Sequence, residues 1–137
     1  MRDVRVLLAE DNEDHLFLAT RALSRVGDVN VEVIPVRDGI QVLDYLYGRG
    51  AHEGRTLPDM VLLDLSMPGR SGLDVLQTVK SDRALAHIPV IVLTSSDRPE
   101  DVQAAYATGA NSFVTKSRGI DNLAEYWTKT ASLPGER

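Results

Sequence analysis

Glu10 and Asp11 follow the apolar run at residues 4–9, Asp64 follows residues 60–63, Thr94 closes residues 89–94 and Lys116 follows residues 112–115. Brought to one place, three carboxylates repel one another unless a cation intervenes, and hard oxygen ligands with no His or Cys among the strand-end residues favour magnesium. Lys116 adds a mobile positive charge and Thr94 a hydroxyl donor, which suits an incoming phosphoryl group better than a bare metal site. A carboxylate can attack phosphorus to form an aspartyl phosphate, with metal and lysine stabilising the charge on the equatorial oxygens. Asp64 is the candidate nucleophile.

Taken singly, each residue has a plainer explanation. Acids just past a strand commonly cap turns or helices, a strand-end threonine commonly binds local backbone, and a lone lysine is commonly a solvated charge. Their placement at successive strand ends is what asks for a common cause. Residues 4–9 read as a buried parallel strand, and Asn12 as the N-cap of a first helix over residues 13–26, where Leu16, Ala19, Leu23 and Val26 recur at helical spacing and Gly27 is the stop. Residues 31–36 read as a second strand, placed at a sheet edge because Pro35 lacks an N–H. Further strands are predicted at 60–64, 89–94 and 112–115, with helices at about 39–47, 71–81, 99–108 and 122–131. Leu73, Leu76 and Val79 or Lys80 mark one face of the third helix. Residues 48–58 lack apolar periodicity and form a loop long enough to suggest function, although its His52 has no metal-ligand company and reads as solvated. Five strands separated by helices predict a parallel α/β sheet covered on both faces, with its ligand beyond the carboxyl ends of the strands.

Composition narrows the rest. The 137 residues, 43% apolar, suffice for one domain over residues 1–137, with a core at about 4–131 and a short C-terminal tail. Fifteen Lys and Arg against 20 Asp and Glu leave a net charge of −5, which argues against direct nucleic-acid binding. The absence of Cys excludes disulfides, thiolate zinc sites and cysteine nucleophiles. The N-terminal apolar run is too short for a membrane span and is followed by acids rather than a cleavage site, so a cytoplasmic protein with no membrane contact is expected.

With these residues assembled, the chain resembles the receiver domain of two-component response regulators over essentially its whole length. The marks are VRVLLAEDNED, DMVLLDLSMPGRSGLDVL, PVIVLTSS and SFVTK, in the family's order and spacing. The long loop with LPDMVLLDLSMPGRSG and HIPVIVLTSS is similar to the single-domain subgroup that includes phytochrome-associated response regulators. The resemblance implies a flavodoxin-like, doubly wound five-stranded parallel sheet of order 2-1-3-4-5 with five helices. It implies that Asp64 accepts a phosphoryl group from a sensor histidine kinase, in this subgroup a bacteriophytochrome. Asp11, Asp64 and the backbone carbonyl of Ser66 would bind Mg²⁺ directly, and Glu10 mainly through water. Thr94 and Lys116 would contact the phosphoryl oxygens, Thr94 and Phe113 would switch together, and Ser66 and Ser96 would tune hydrolysis of the acyl phosphate.

Met67-Pro68 and Gly72 fit the family's loop, but Ser117 stands where the family usually has a cis-linked proline. A cis bond without proline costs about 3 kcal/mol, which leaves the geometry after the fifth strand open. Output is expected through partners and a homodimer, using the face of helix 4, strand 5 and helix 5, with Tyr106 and Tyr126 as aromatic anchors and Trp127 on the buried stripe with Ile120, Leu123 and Ala124. The expected protein is a self-phosphorylating acceptor with autodephosphorylation, not a turnover enzyme. Its rivals are a phosphorylation-independent pseudo-receiver and a haloacid-dehalogenase-type phosphohydrolase, which wants an acid where Ser66 stands and a cap domain.

Overall fold

The computed structural model describes residues 2–27, 29–67, 71–120 and 123. Strands β1 (Arg2–Ala9), β2 (Val29–Val36), β3 (Met60–Leu63), β4 (Val90–Thr94) and β5 (Ser112–Thr115) form one sheet, every pair parallel, in the order β2-β1-β3-β4-β5. This is the order the resemblance implies, and it puts Pro35 on the edge strand, where its missing N–H costs no ladder bond.

Side chains alternate along each strand, so each strand feeds two cores. Leu7, Val61, Leu63, Val90 and Val92 pack against helices α2 (Gly39–Tyr47), α3 (Gly72–Ser81) and α4 (Pro99–Thr108). Leu8, Leu62, Ile91, Leu93 and Val114 pack against helix α1 (Glu13–Leu23) and against Ile120 and Leu123. Strands buried on both faces explain why β3 and β4 read as unbroken apolar runs.

Several boundaries differ from expectation. Helix α1 ends at Leu23, not Val26, because Ser24 caps it, with its N–H on Thr20 O (3.1 Å) and its hydroxyl on Arg21 O (2.6 Å). Val26 is buried by the turn that follows rather than by the helix, and Gly27 lies beyond that turn. Strand β2 starts at Val29 because its register pairs Val29 with Arg2. On α3 the buried face is Gly72, Val75, Leu76 and Val79; Leu73 is half-buried, and Lys80 turns to the amino edge of the sheet. After β5 the chain makes a short helical turn, α5 (Lys116–Gly119), and no cis peptide occurs among the described residues, so Lys116–Ser117 is trans. The helix expected at 122–131 lies outside the described residues except for Leu123, which is helical and buried.

The 48–58 loop is fastened to the end of α2. Arg55 donates from Nε to Tyr45 O (2.7 Å) and from Nη2 to Leu46 O, occupying carbonyls at the end of α2. Tyr45 Oη donates to Thr56 O (3.1 Å), and His52 packs edge-on against the Tyr45 ring, its centroid 5.1 Å away. His52 is thus a packing residue of a 3₁₀ turn at Gly50–His52. No described helix is long and apolar enough to cross a membrane.

Candidate functional site

The parallel sheet delivers its polar strand ends to one edge. Glu10 follows β1, its N–H on Val36 O (2.9 Å), and Asp64 follows β3, its N–H on Ala9 O (3.1 Å), so backbone bonds between neighbouring strands fix both acids. Thr94 ends β4 beside Thr115 of β5, and Lys116 follows directly. Among the described residues, Glu10, Asp64, Thr94 and Lys116 are the polar residues buried at this edge, whereas Asp11 is exposed at its rim.

Lys116 Nζ lies 2.6 Å from Glu10 Oε1 and 3.0 Å from Asp64 Oδ2. Asp64 Oδ1 accepts the N–H of Ser66 at 2.9 Å, and Glu10 Oε2 accepts the N–H of Asn12 at 3.0 Å. The carboxylates are therefore oriented from both the backbone and the lysine. Burial pushes the Glu10 carboxyl above its ordinary range, and the nearby Asp64 charge adds to this, while Lys116 and the Asn12 N–H pull the other way.

Each of Glu10, Asp11 and Asp64 offers a carboxylate oxygen, all within 4.8 Å of one another. Glu10 Oε1 is buried, and among the described residues no group meets it in hydrogen-bond geometry, although the Lys116 charge is 2.6 Å away. An acid cluster with an orphaned oxygen and one exposed member fits a hard divalent cation that keeps several waters.

Around this centre the remaining candidates separate. Thr94 is 1% exposed, and its Oγ1 accepts a long bond from the Ser96 N–H at 3.4 Å. The Ser96 hydroxyl donates to Asp101 in the first turn of α4, and Asp101 also takes Arg98 Nε at 3.1 Å; both contacts hold the Asp101 carboxyl below its ordinary range. Phe113 is half-buried against the core under α2, α3 and α4, and its N–H donates to Tyr106 Oη at 3.1 Å. Tyr106 is 49% exposed on α4, while Tyr126 and Trp127 lie outside the described residues. Met67 is buried, and residues 68–70 are outside the described set. Gly72 is required by contact: a Cβ there would lie 2.4 Å from Leu65 Cα and 2.8 Å from Asp64 O.

His15 was not expected at the site. The strand-end residues offer oxygen donors and one lysine, yet His15 Nδ1 lies 3.0 Å from Lys116 Nζ and 3.9 Å from Glu10 Oε2. The usable signal was Asn12: its side chain caps α1 by accepting the His15 N–H at 3.0 Å, which places residue 15 in the first turn, above the acid pair.

Comparison with known proteins agrees with this geometry. The family model "Response regulator receiver domain" matches residues 6–128. The chain is 40% identical to the probable methanogenesis regulatory protein FilR2 of Methanothrix harundinacea, over 95% of this chain and 87% of that protein. It superposes on the phosphorylated cyanobacterial phytochrome response regulator RcpA with a TM-score of 0.83 and 34% identity, covering 95% of this chain and 92% of the other. The Mn²⁺-bound form of response regulator Rcp1 gives a TM-score of 0.81 at 33% identity, covering 95% and 93%. The fold, the strand-end acids and these matches together show that the chain belongs to the response regulator receiver domain family of two-component systems.

Proposed function

We propose that this receiver takes a phosphoryl group from a sensor histidine kinase onto Asp64 and signals through partners. The observation that carries the reading is the buried Asp64–Lys116–Glu10 cluster opening onto exposed Asp11, a nucleophile with a cation at one oxygen and a metal-suited rim beside it. Asp11 and Asp64, with the Ser66 carbonyl and Glu10 through water, are the residues that would hold Mg²⁺. When bound, the ion neutralises charge on the acids and on the incoming phosphoryl oxygens.

The chain's own part begins with Asp64, whose carboxylate is held by the Ser66 N–H and Lys116. One of its oxygens forms the new bond to phosphorus as the bond to the donor's imidazole nitrogen breaks, and the electron pair leaves with the imidazole. Lys116 then transfers from the carboxylate to a phosphoryl oxygen, and the Thr94 hydroxyl leaves the Ser96 N–H to donate to another. Space vacated by Thr94 admits Phe113, and the bond from Phe113 N–H to Tyr106 links that movement to α4. Ser66 and Ser96 flank the acyl phosphate and set its hydrolysis. The output face is that of α4 and β5 with the residues after them, where Tyr106 and Tyr126 are the proposed anchors of a homodimer.

The phosphorylated relative RcpA is described as a phytochrome response regulator, which favours a phytochrome-type kinase of the cytoplasm as the donor. The protein is a phosphoacceptor rather than a turnover enzyme, and its net charge of −5 argues against direct nucleic-acid binding. The test is incubation with acetyl phosphate and Mg²⁺. Stoichiometric phosphorylation lost with chelator and in Asp64→Asn is expected; an unmodified wild-type protein would make it a phosphorylation-independent interaction module.

A further inference from the structure

Lys116 is an ammonium with an 8% exposed side chain, three N–H donors and no acceptor. Three acceptors surround it: Asp64 Oδ2 at 3.0 Å and His15 Nδ1 at 3.0 Å in hydrogen-bond contact, and Glu10 Oε1 at 2.6 Å as an ion pair. Because lysine only donates, His15 Nδ1 is the acceptor and the ring proton sits on Nε2. His15 is 36% exposed in its side chain and lines a cleft of about 260 Å³ with Leu18, Ser95, Lys116, Ser117 and Ile120.

The three acceptors are not equivalent. Glu10 and Asp64 belong to the acid cluster suited to a divalent cation, and a cation there both draws on their charge and repels the ammonium. His15 lies outside that cluster and is uncharged when it accepts, so the metal does not compete for it. We propose that His15 is the positioning residue that keeps Lys116 at the site once the metal has claimed the carboxylates, so that the ammonium is in place when the phosphoryl group arrives. This role rests on the phosphoacceptor reading above, and it makes Lys116 a cation handed from carboxylate to phosphoryl oxygen without leaving its imidazole anchor.

Two readouts separate the proposal from that reading. At one fixed pH near 8 and saturating Mg²⁺, the first is the rate at which a small amine-reactive reagent labels Lys116, followed by peptide mass. His15→Leu, which has no acceptor, should speed labelling about tenfold, as expected for losing one hydrogen bond to a charged group. His15→Asn, whose amide oxygen can replace Nδ1, should restore most of the protection. The second is the rate of phosphorylation by acetyl phosphate, which should fall about tenfold in His15→Leu with Mg²⁺ affinity within about twofold, and should not fall further when His15→Leu is added to Lys116→Met. Unchanged labelling in His15→Leu, or no rescue by His15→Asn, overturns the anchor. An equal rate loss in the Lys116→Met background shows that His15 acts by another route and also overturns it. A wild-type protein that takes no phosphoryl group overturns the functional reading, and the labelling result then still decides the anchor.

Discussion

Two lysines at opposite edges of one sheet meet different partners. Lys116, at the carboxyl edge, is held by two carboxylates and an imidazole. Lys80 leaves α3 at the amino edge and donates to neutral oxygens: Ile88 O at 2.7 Å, Ala86 O at 3.2 Å and Asn111 Oδ1 at 3.2 Å. Asn111 Oδ1 also accepts the N–H of Val90 (2.9 Å), and Asn111 N–H donates to Val90 O (2.9 Å), so Lys80 ties the start of β4 to the residue preceding β5. Neutral carbonyls that have no other partner to gain make a permanent bracket. Carboxylates that can bind a metal or a phosphoryl group instead make a cation that exchanges partners, and chemistry needs the second kind.

The largest expected difference tests that division directly. Lys116→Met should slow phosphorylation by acetyl phosphate about a hundredfold, the scale of losing one donor to a transition-state oxyanion, while Lys80→Met leaves it within about twofold. Urea unfolding should not separate them in this way: Lys80→Met costs about 2 kcal/mol by stranding neutral acceptors, and Lys116→Met costs at least as much because two buried carboxylates lose their cation. If both variants lose rate equally, the two edges are not functionally distinct.

Gly72→Ala sharpens the comparison from the backbone side, because the added carbon would strike Leu65 Cα and the Asp64 carbonyl beneath the reactive edge. It should cost about 1–3 kcal/mol by urea unfolding and also slow phosphorylation, unlike an equally destabilising change beside Lys80.

The smallest effect is in pH dependence, and the two edges should give opposite slopes. Burial raises the Glu10 carboxyl, so the folded state holds its proton above 4.5, and stability from this group falls as pH rises through the window above that value. Burial lowers the Lys80 ammonium, so the unfolded state holds more protons in the window below 10.5, and stability from this group rises with pH there. In metal-free protein, Glu10→Gln should flatten the acid-side slope and Lys80→Met the alkaline one, read from unfolding free energies across pH.

The same contrast explains what could be read from the sequence. The strands of both cores were legible because short apolar runs and turn residues are local signals, and the five strand-end side chains followed from them. Val26 misled because an apolar residue at helical spacing can be buried by a turn just as well as by a helix. How the 48–58 loop is held was not legible, because nothing in its composition announces that Arg55 reaches the carbonyls of α2. His15 escaped notice because its partner lies 101 residues away, and in a polar stretch a histidine looks solvated until the topology brings Lys116 to it. Lys80 was legible as a helix-face residue but not as a bracket, since its acceptors are mostly backbone carbonyls that every residue carries.

The central claim is that Asp64 at the carboxyl edge is the phosphoacceptor. Its most direct test is peptide mass mapping after exposure to acetyl phosphate with Mg²⁺. The account predicts one phosphoryl group, labile to hydroxylamine as an acyl phosphate is, on the peptide containing Asp64 and absent when chelator is present. A phosphoryl group on any other residue, or one that forms equally well in Asp64→Asn, would contradict it.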